Sequence, residues 1–359
     1  MANYRKTSVL AEESASTAAT KTIDITLKKI ISRLQIRFNS TNNGHDMTAV
    51  HATAISKVEL VNGSDVLWSL NGKQIEAKMF YDNPIPPSYE RETRNDVENY
   101  LTLDLMFGRR LFDPELALDP THYPSLQLKI THNKALGGSA PDAATLAVFA
   151  DIFDEKAVSP GGFLSPLDYH DFTSASSAAY EYINLPTDHP LRRIYLQTIL
   201  ADSWWENLIS NLEIDAEGGT QSLLDLTGQE LVSLIMTRYP YYRELIAATM
   251  SGTGPNTYYV TPHECSYWAI AIIGPSASTF CGPDAEYVGG YAKLVSDQAI
   301  GFKAEVKGYI PHGVVPLDFG DPNVIDDWWD VTRVGSPRII PYAGGSAPVN
   351  VILEQLRRY

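Results

Sequence analysis

Several groups of residues in this chain have types that suit chemistry, but their spacing does not complete a working set. Asp318, Asp321, Asp326, Asp327 and Asp330 form the densest acidic run. Ca²⁺ prefers several carboxylate and carbonyl oxygens from a flexible loop, so a structural Ca²⁺ is one reading of this run and a solvated loop is the plainer one. His263, Glu264 and Cys265 offer three potential ligands in a row. Adjacent strand positions point to opposite faces, which suits a metal site poorly. Asp318-Phe319-Gly320 spells a kinase metal-binding triplet, without the glycine-rich loop, strand lysine or catalytic loop that must accompany it. Ser251 to Gly254 (SGTG) lacks the strand–helix context and the lysine of a phosphate loop. The pairs Trp204-Trp205 and Trp328-Trp329 could form a sugar-stacking platform, but large aromatics also fill cores and subunit interfaces, and that reading is favoured. No two carboxylates can be placed across a cleft from sequence, and the eight histidines suggest no triad. No catalytic, cofactor-binding or metal-ligating residue is assigned. The chain reads as a structural protein rather than an enzyme.

Composition narrows the partners. A chain of 359 residues exceeds what one hydrophobic core usually serves, so two domains are expected. The formal charge of −15 leaves no obvious basic face beyond short groups such as Lys28-Lys29 and Arg109-Arg110, which argues against sequence-specific nucleic-acid binding. Two cysteines, Cys265 and Cys281, are too few for a disulfide framework or a four-cysteine zinc site. No apolar stretch reaches the ~18 residues of a membrane span, and no signal-peptide core follows Met1, so assembly in a cytoplasm is expected.

The elements that would position any of these residues are strands. Leu34, Ile36 and Phe38 alternate with Arg33, Gln35 and Arg37, and Leu101, Leu103, Leu105 and Phe107 alternate likewise. The runs 126–130 and 302–306 repeat the pattern. Two-residue alternation buries one face and wets the other, the mark of an antiparallel sandwich or barrel. Residues 1–21 are small, polar and without sustained periodicity, and read as a flexible arm.

One plan is written twice. Thr22–Ile25 (TIDI) resembles Tyr182–Leu185 (YINL), and Ile55–Leu60 (ISKVEL) resembles Ile209–Ile214 (ISNLEI). Ser69–Lys73 (SLNGK) resembles Asp225–Gln229 (DLTGQ), each running into a short helix in which Ile75, Met79 and Phe80 precede Leu231, Ile235 and Met236 by 156 positions. Gly137–Pro141 (GGSAP) recurs letter for letter as Gly344–Pro348. The four matches keep their order in both halves, which two divergent copies of one domain explain. From Gly72 to Gly137 is 65 positions and from Gly228 to Gly344 is 116, an excess of 51 in the second copy. Long projecting loops within about 240–335 would carry that excess. The expected architecture is all-β with a few short helices: two tandem eight-stranded jelly rolls at 22–180 and 181–359 after the arm.

Two such domains, each with a short helix, resemble the double jelly-roll major capsid proteins of tailless icosahedral viruses. The segment Ala54–Gly72 (AISKVELVNGSDVLWSLNG) looks like the first-barrel segment of the phage members, many of which enclose a membrane. Leu185–Arg193 (LPTDHPLRR) looks like their entry into the second barrel. The resemblance is one of pattern over most of the chain. It implies a homotrimeric, pseudo-hexagonal capsomer tiling an icosahedral virion shell. Its partners would be other copies of itself, neighbouring capsomers, a vertex penton and minor capsid proteins, with no cofactor. The N-terminal arm, with Arg5, Lys6 and Lys21, would lie on the inner side, where it could contact the anionic headgroups of an internal lipid membrane or neighbouring capsomers. The competing readings are a carbohydrate-binding or carbohydrate-active β-sandwich and a viral spike. The first would normally carry an export signal and the second a shaft, and neither feature is in the sequence.

Overall fold

The computed structural model describes residues 2–44, 48–86, 90–138, 140–175, 179–250, 255–273, 281–283, 288–296 and 299–359. The first half forms β1 (Tyr4–Ser14), β2 (Ala19–Asp24), β3 (Ile31–Thr41), β4 (Ile55–Asn62), β5 (Asp65–Leu70), helix α1 (Gly72–Asp82), β6 (Glu90–Glu92), β7 (Glu98–Met106), β8 (Leu126–His132) and β9 (Ala143–Phe153). The second half opens with β10 (Gly162–Thr173), β11 (Ile183–Asn184), β12 (Leu191–Thr198), helix α2 (Trp205–Leu208), β13 (Ile209–Ala216), β14 (Gln221–Thr227) and helix α3 (Gly228–Arg238). There follow β15 (Tyr242–Thr249), β16 (Asn256–Tyr259), β17 (Pro262–Ile273), β18 (Cys281–Pro283), β19 (Tyr291–Ser296) and β20 (Gly301–Pro311). The chain closes with β21 (Val314–Asp318), β22 (Arg338–Ala343) and β23 (Pro348–Arg358).

The alternating strands bury what their pattern requires. Leu34, Ile36 and Phe38 of β3 and Leu101, Leu103 and Leu105 of β7 line one core, each such side chain contributing ~1.5–3 kcal/mol when fully withdrawn from water. In the first half the sheets run β1-β9-β3-β7 and β2-β8-β4-β5; in the second they run β10-β23-β12-β21 and β11-β22-β13-β14. Strand for strand this is one jelly roll repeated, and irregularities repeat with it. The register shift between Ser8 and Leu10 in β1 recurs between Asp168 and His170 in β10. The shift between Ile31 and Arg33 recurs between Leu191 and Arg193. The helices also share one start. Asn71 and Gln74 form a reciprocal capping box before α1, and Thr227 and Glu230 form one before α3. Gly72 and Gly228 each lie so close to a carbonyl oxygen, of Ala52 and Ile209 respectively, that a side-chain carbon has no room.

Three sequence expectations are corrected. Residues 1–21 are not a free arm: β1 pairs with β9 from Tyr4–Phe153 to Ser14–Thr145, and β2 pairs with β8. As an edge strand with most of its side chains at least partly exposed, β1 carries no apolar alternation to reveal it. Its cations are also engaged within the chain, Arg5 with Asp154, Lys6 with Asp151 and Lys21 with Glu13. The division at 180/181 falls too late, because β10 pairs along its length with β23 and so belongs to the second barrel. Finally, the excess in the second copy is built largely from strands rather than long loops. β17, β20 and β15 form one sheet, completed by β6 from the first half, and β16, β19 and β18 form another. Ile246, Met250, Tyr258, Leu294, Phe302 and Val306 give this insertion its own core.

Candidate assembly interface

The two barrels meet along a seam whose groups come from residues far apart in sequence. Helix α1 packs against β21 and reaches β12 and β23 through its side chains, and β5 meets β10 in parallel at Ser69 and Leu167. That bridge joins the two barrels' sheets into one of eight strands. All eight residues of β12 are buried, because one face packs into its own barrel and the other lies under α1. Tyr81 donates to the carbonyl oxygen of Val314 at 2.6 Å and stacks edge-on against Tyr239 at 4.8 Å.

Within this seam sits a buried charge cluster. Lys78 pairs with Asp82 and, at 2.8 Å, with Glu354. Arg192 and Arg193 each donate to Asp82 Oδ1 at 2.8 Å, and Arg193 also pairs with Asp318. Arg192 reaches Glu354 at 3.1 Å. Three cations thus face three carboxylates. Burial pushes the Asp82 carboxyl up, but Lys78, Arg192 and Arg193 together outweigh it and hold it well below the usual carboxylate range. Removing any one member would leave an uncompensated buried charge, so the cluster fixes how the barrels sit against each other. Nearby, Gln74 donates to Asp168 and to Gln197, both at 3.1 Å. Burial pushes the Asp168 carboxyl up to about 7; the Gln74 hydrogen bond opposes the shift and neighbouring Asp171 adds to it.

A second polar knot ties the insertion to the first barrel. Arg91 of β6 is buried in an ion pair with Glu244 of β15, and donates to the carbonyl oxygen of Tyr259 at 2.7 Å. Glu244 also accepts from the Thr261 amide at 2.9 Å. Beside it, His312 lies 2.9 Å from Glu76 of α1. Burial raises the Glu76 carboxyl, but His312 and Arg91 bring it below the ordinary value.

Against this geometry the residues singled out in the sequence take structural places. Asp318 is consumed by the seam, with Arg238 at 2.9 Å and the Tyr239 hydroxyl at 3.0 Å. Asp330 caps a turn at Thr332, and Asp321 accepts from the Asn323 amide. The five aspartates therefore do not converge within the chain, and among the described residues no group of three or more potential ligands is placed to hold a metal. His263 and Glu264 do not diverge as adjacent strand residues should: their side chains meet at 2.9 Å, and Glu264 accepts the Trp205 amide at 2.7 Å. The side chain of Cys265 and the segment 251–254 lie outside the described residues. Trp205, Trp328 and Trp329 are buried, and Trp204 is partly exposed, so the pairs form no sugar platform. The pairs that join the two barrels were missed because Asp82 lies 110 and 111 positions from Arg192 and Arg193; Leu191-Arg192-Arg193, with two cations inside an apolar strand, was a local signal.

No protein-family model matches the sequence, and no curated protein is similar to it. The likeness lies in the fold. The major capsid protein of STIV is similar over 99% of this chain and 97% of its own, at 10% identity and a TM-score of 0.62. The PBCV-1 virus capsid protein is similar over 99% and 94%, at 12% identity and a TM-score of 0.59. The major capsid protein of bacteriophage PM2 is similar over 99% and 98%, at 9% identity and a TM-score of 0.54. The chain therefore has the double jelly-roll fold from end to end.

Proposed function

We propose that this chain is the major capsid protein of an icosahedral virus, a shell tile with no catalytic role. The observation that carries the reading is the duplication: one barrel built twice in the same strand order, the copies fused side by side through a buried seam. The full-length likeness to capsid proteins of three different viruses supports it. An icosahedral shell needs a roughly six-sided tile, and closed symmetry restricts how identical chains can make one. Three two-barrel chains supply six similar barrels around a ring. Neighbouring capsomers meet at the outer sides of such tiles, while a vertex penton and minor capsid proteins complete the shell. The strand-bound cations of residues 1–21 serve the barrel, so no lipid contact is assigned to them.

Native mass measurement with negative-stain imaging of the purified protein tests this. A compact particle of three chain masses with a six-lobed outline is expected. A stable monomer at micromolar concentration would remove the tile.

A further inference from the structure

The two barrels turn unlike faces outward. Thr20 and Thr131 stand opposite each other on the outer face of β2 and β8, joined by a hydrogen bond of 2.9 Å. At the matching places on the second barrel stand Tyr180 and Tyr342, whose ring centres lie 5.4 Å apart. Tyr182, the counterpart of Thr22, packs edge-on against Tyr180 at 5.1 Å. The Arg338 guanidinium lies 5.3 Å from the Tyr182 ring centre and is itself held by both oxygens of Asp215 at 2.8 Å. Tyr180 is 53% exposed and Tyr182 56%, and neither belongs to a core. Ring contacts and the Arg338 fork thus hold an aromatic array in place on the free chain. Rigid amphipathic rings of this kind are what protein contact surfaces are enriched in.

We infer that this tyrosine face is the side by which one tile meets the next, and that its partner is the threonine face of the first barrel in a neighbouring copy. The inference rests on the shell-tile reading and names the contact between tiles. The internal seam occupies α1, β5 and the β10-β23-β12-β21 sheet, so the outer faces of β2-β8-β4 and β11-β22-β13 remain open. A tile of three chains has six sides, with first and second barrels alternating. Opposite sides are then unlike, and identical tiles laid side by side in one orientation always set a second-barrel side against a first-barrel side. A contact between unlike faces does not close on itself, so it extends into a field of tiles.

Shape and charge suit this pairing. The second barrel offers bulky rings, and the first offers Thr20, Thr22 and Thr131, low side chains among which rings can seat. On the tyrosine face Arg338 is committed to Asp215, while Asp225 faces Glu213 across β14 and β13. Like charges directly opposite on neighbouring strands are destabilising, and a cation brought by a partner relieves them. The threonine face holds such a cation. Lys129 lies between Thr22 and Glu59 in register, and Glu59 is already taken by Lys57 at 2.8 Å. Lys129 itself has no hydrogen bond or ion pair among the described residues. Its counterpart on the second barrel is Ile340, which also faces the glutamate of its neighbouring strand and is 2% exposed. The charge present on one face is therefore the one missing from the other.

Zero-length carbodiimide coupling, which joins only amines and carboxylates in contact, tests the pairing on shells assembled from the full-length protein. Peptides with Lys129 linked to Glu213 or Asp225 are expected from shells and not from isolated trimers. As a second readout, Y180S/Y182S is expected to leave the trimer's native mass and circular dichroism spectrum unchanged. It should raise the concentration needed for shell formation by about tenfold. Shells without the linkage, or shells that form equally well from Y180S/Y182S, would overturn the inference and leave the shell reading standing. The same linkage in isolated trimers would also overturn it, by placing both faces within one tile. Disulfide-joined tiles from Y182C, absent from the parent, would overturn it in favour of like faces meeting. A chain that forms neither trimers nor shells would overturn both readings.

Discussion

Helices α1 and α3 begin with the same capping box and the same glycine, yet they live in different surroundings. The first is covered by the second barrel and carries Lys78, Asp82 and Tyr81 into a buried seam rich in ion pairs. The second presents Leu234, Met236 and Thr237 to solvent. The difference teaches that similar local sequence specifies an element, while the partner it meets decides what its outer face carries. The face covered within the chain carries buried ion pairs; its twin carries the exposed Leu234 and Met236 among Glu230, Ser233, Thr237 and Arg238.

The contrast is sharpest for charge deletion. Asp82→Ala strands Arg192, Arg193 and Lys78 without their shared partner, and a loss of about 3–5 kcal/mol in denaturant unfolding is expected. Exchange of the twin residues should be lopsided. Lys78→Leu leaves Glu354 and Asp82 with one cation fewer and is expected to cost about 2–4 kcal/mol. Leu234→Lys, on the exposed twin, should leave the unfolding of the dissociated subunit within about 0.5 kcal/mol. Equal costs at the two sites would break the comparison.

The seam should also respond to pH in two opposed ways. Asp82 is held below its unfolded value of about 4, so its contribution is present above that pH and is lost as the solution is acidified. Asp168, raised to about 7, works the other way: what its protonated form contributes is complete below about pH 4 and is lost as pH rises through 7. Asp168→Asn is therefore expected to raise the melting temperature at pH 8 by about 2–4 °C and to change it little at pH 4. A larger gain in acid than in base would contradict the assignment. A small effect is expected at Arg238, half-exposed beside Asp318: Arg238→Ala should cost the isolated subunit less than about 1 kcal/mol.

Much of this was legible in the sequence, and the reason is local. The alternation of β3 and β7 exposed two wall strands of the first barrel, and the four recurring segments fall at equivalent places in the two barrels, down to the turn of Gly344 between β22 and β23. The equivalence of β1 and β10 was hidden, since YRKTSVLAEES and GFLSPLDYHDFT share no letters in register and only the repeated bulge relates them. The insertion read as loops because several of its strands are short and turn-rich, and because its anchor pairs Arg91 with Glu244 across the two halves. The seam was invisible for the same reason: Asp82, Arg192, Asp318 and Glu354 meet in space from four distant stretches, and nothing in the local spacing of any of them announces the others.

Amide hydrogen exchange on the dissociated protein tests the buried seam most directly. If the barrels are fused along it, the amides of β5 and β10 will exchange slowly, and those of their twins β14 and β1, which each end a sheet, will exchange faster. Equal protection of the two pairs would contradict the account.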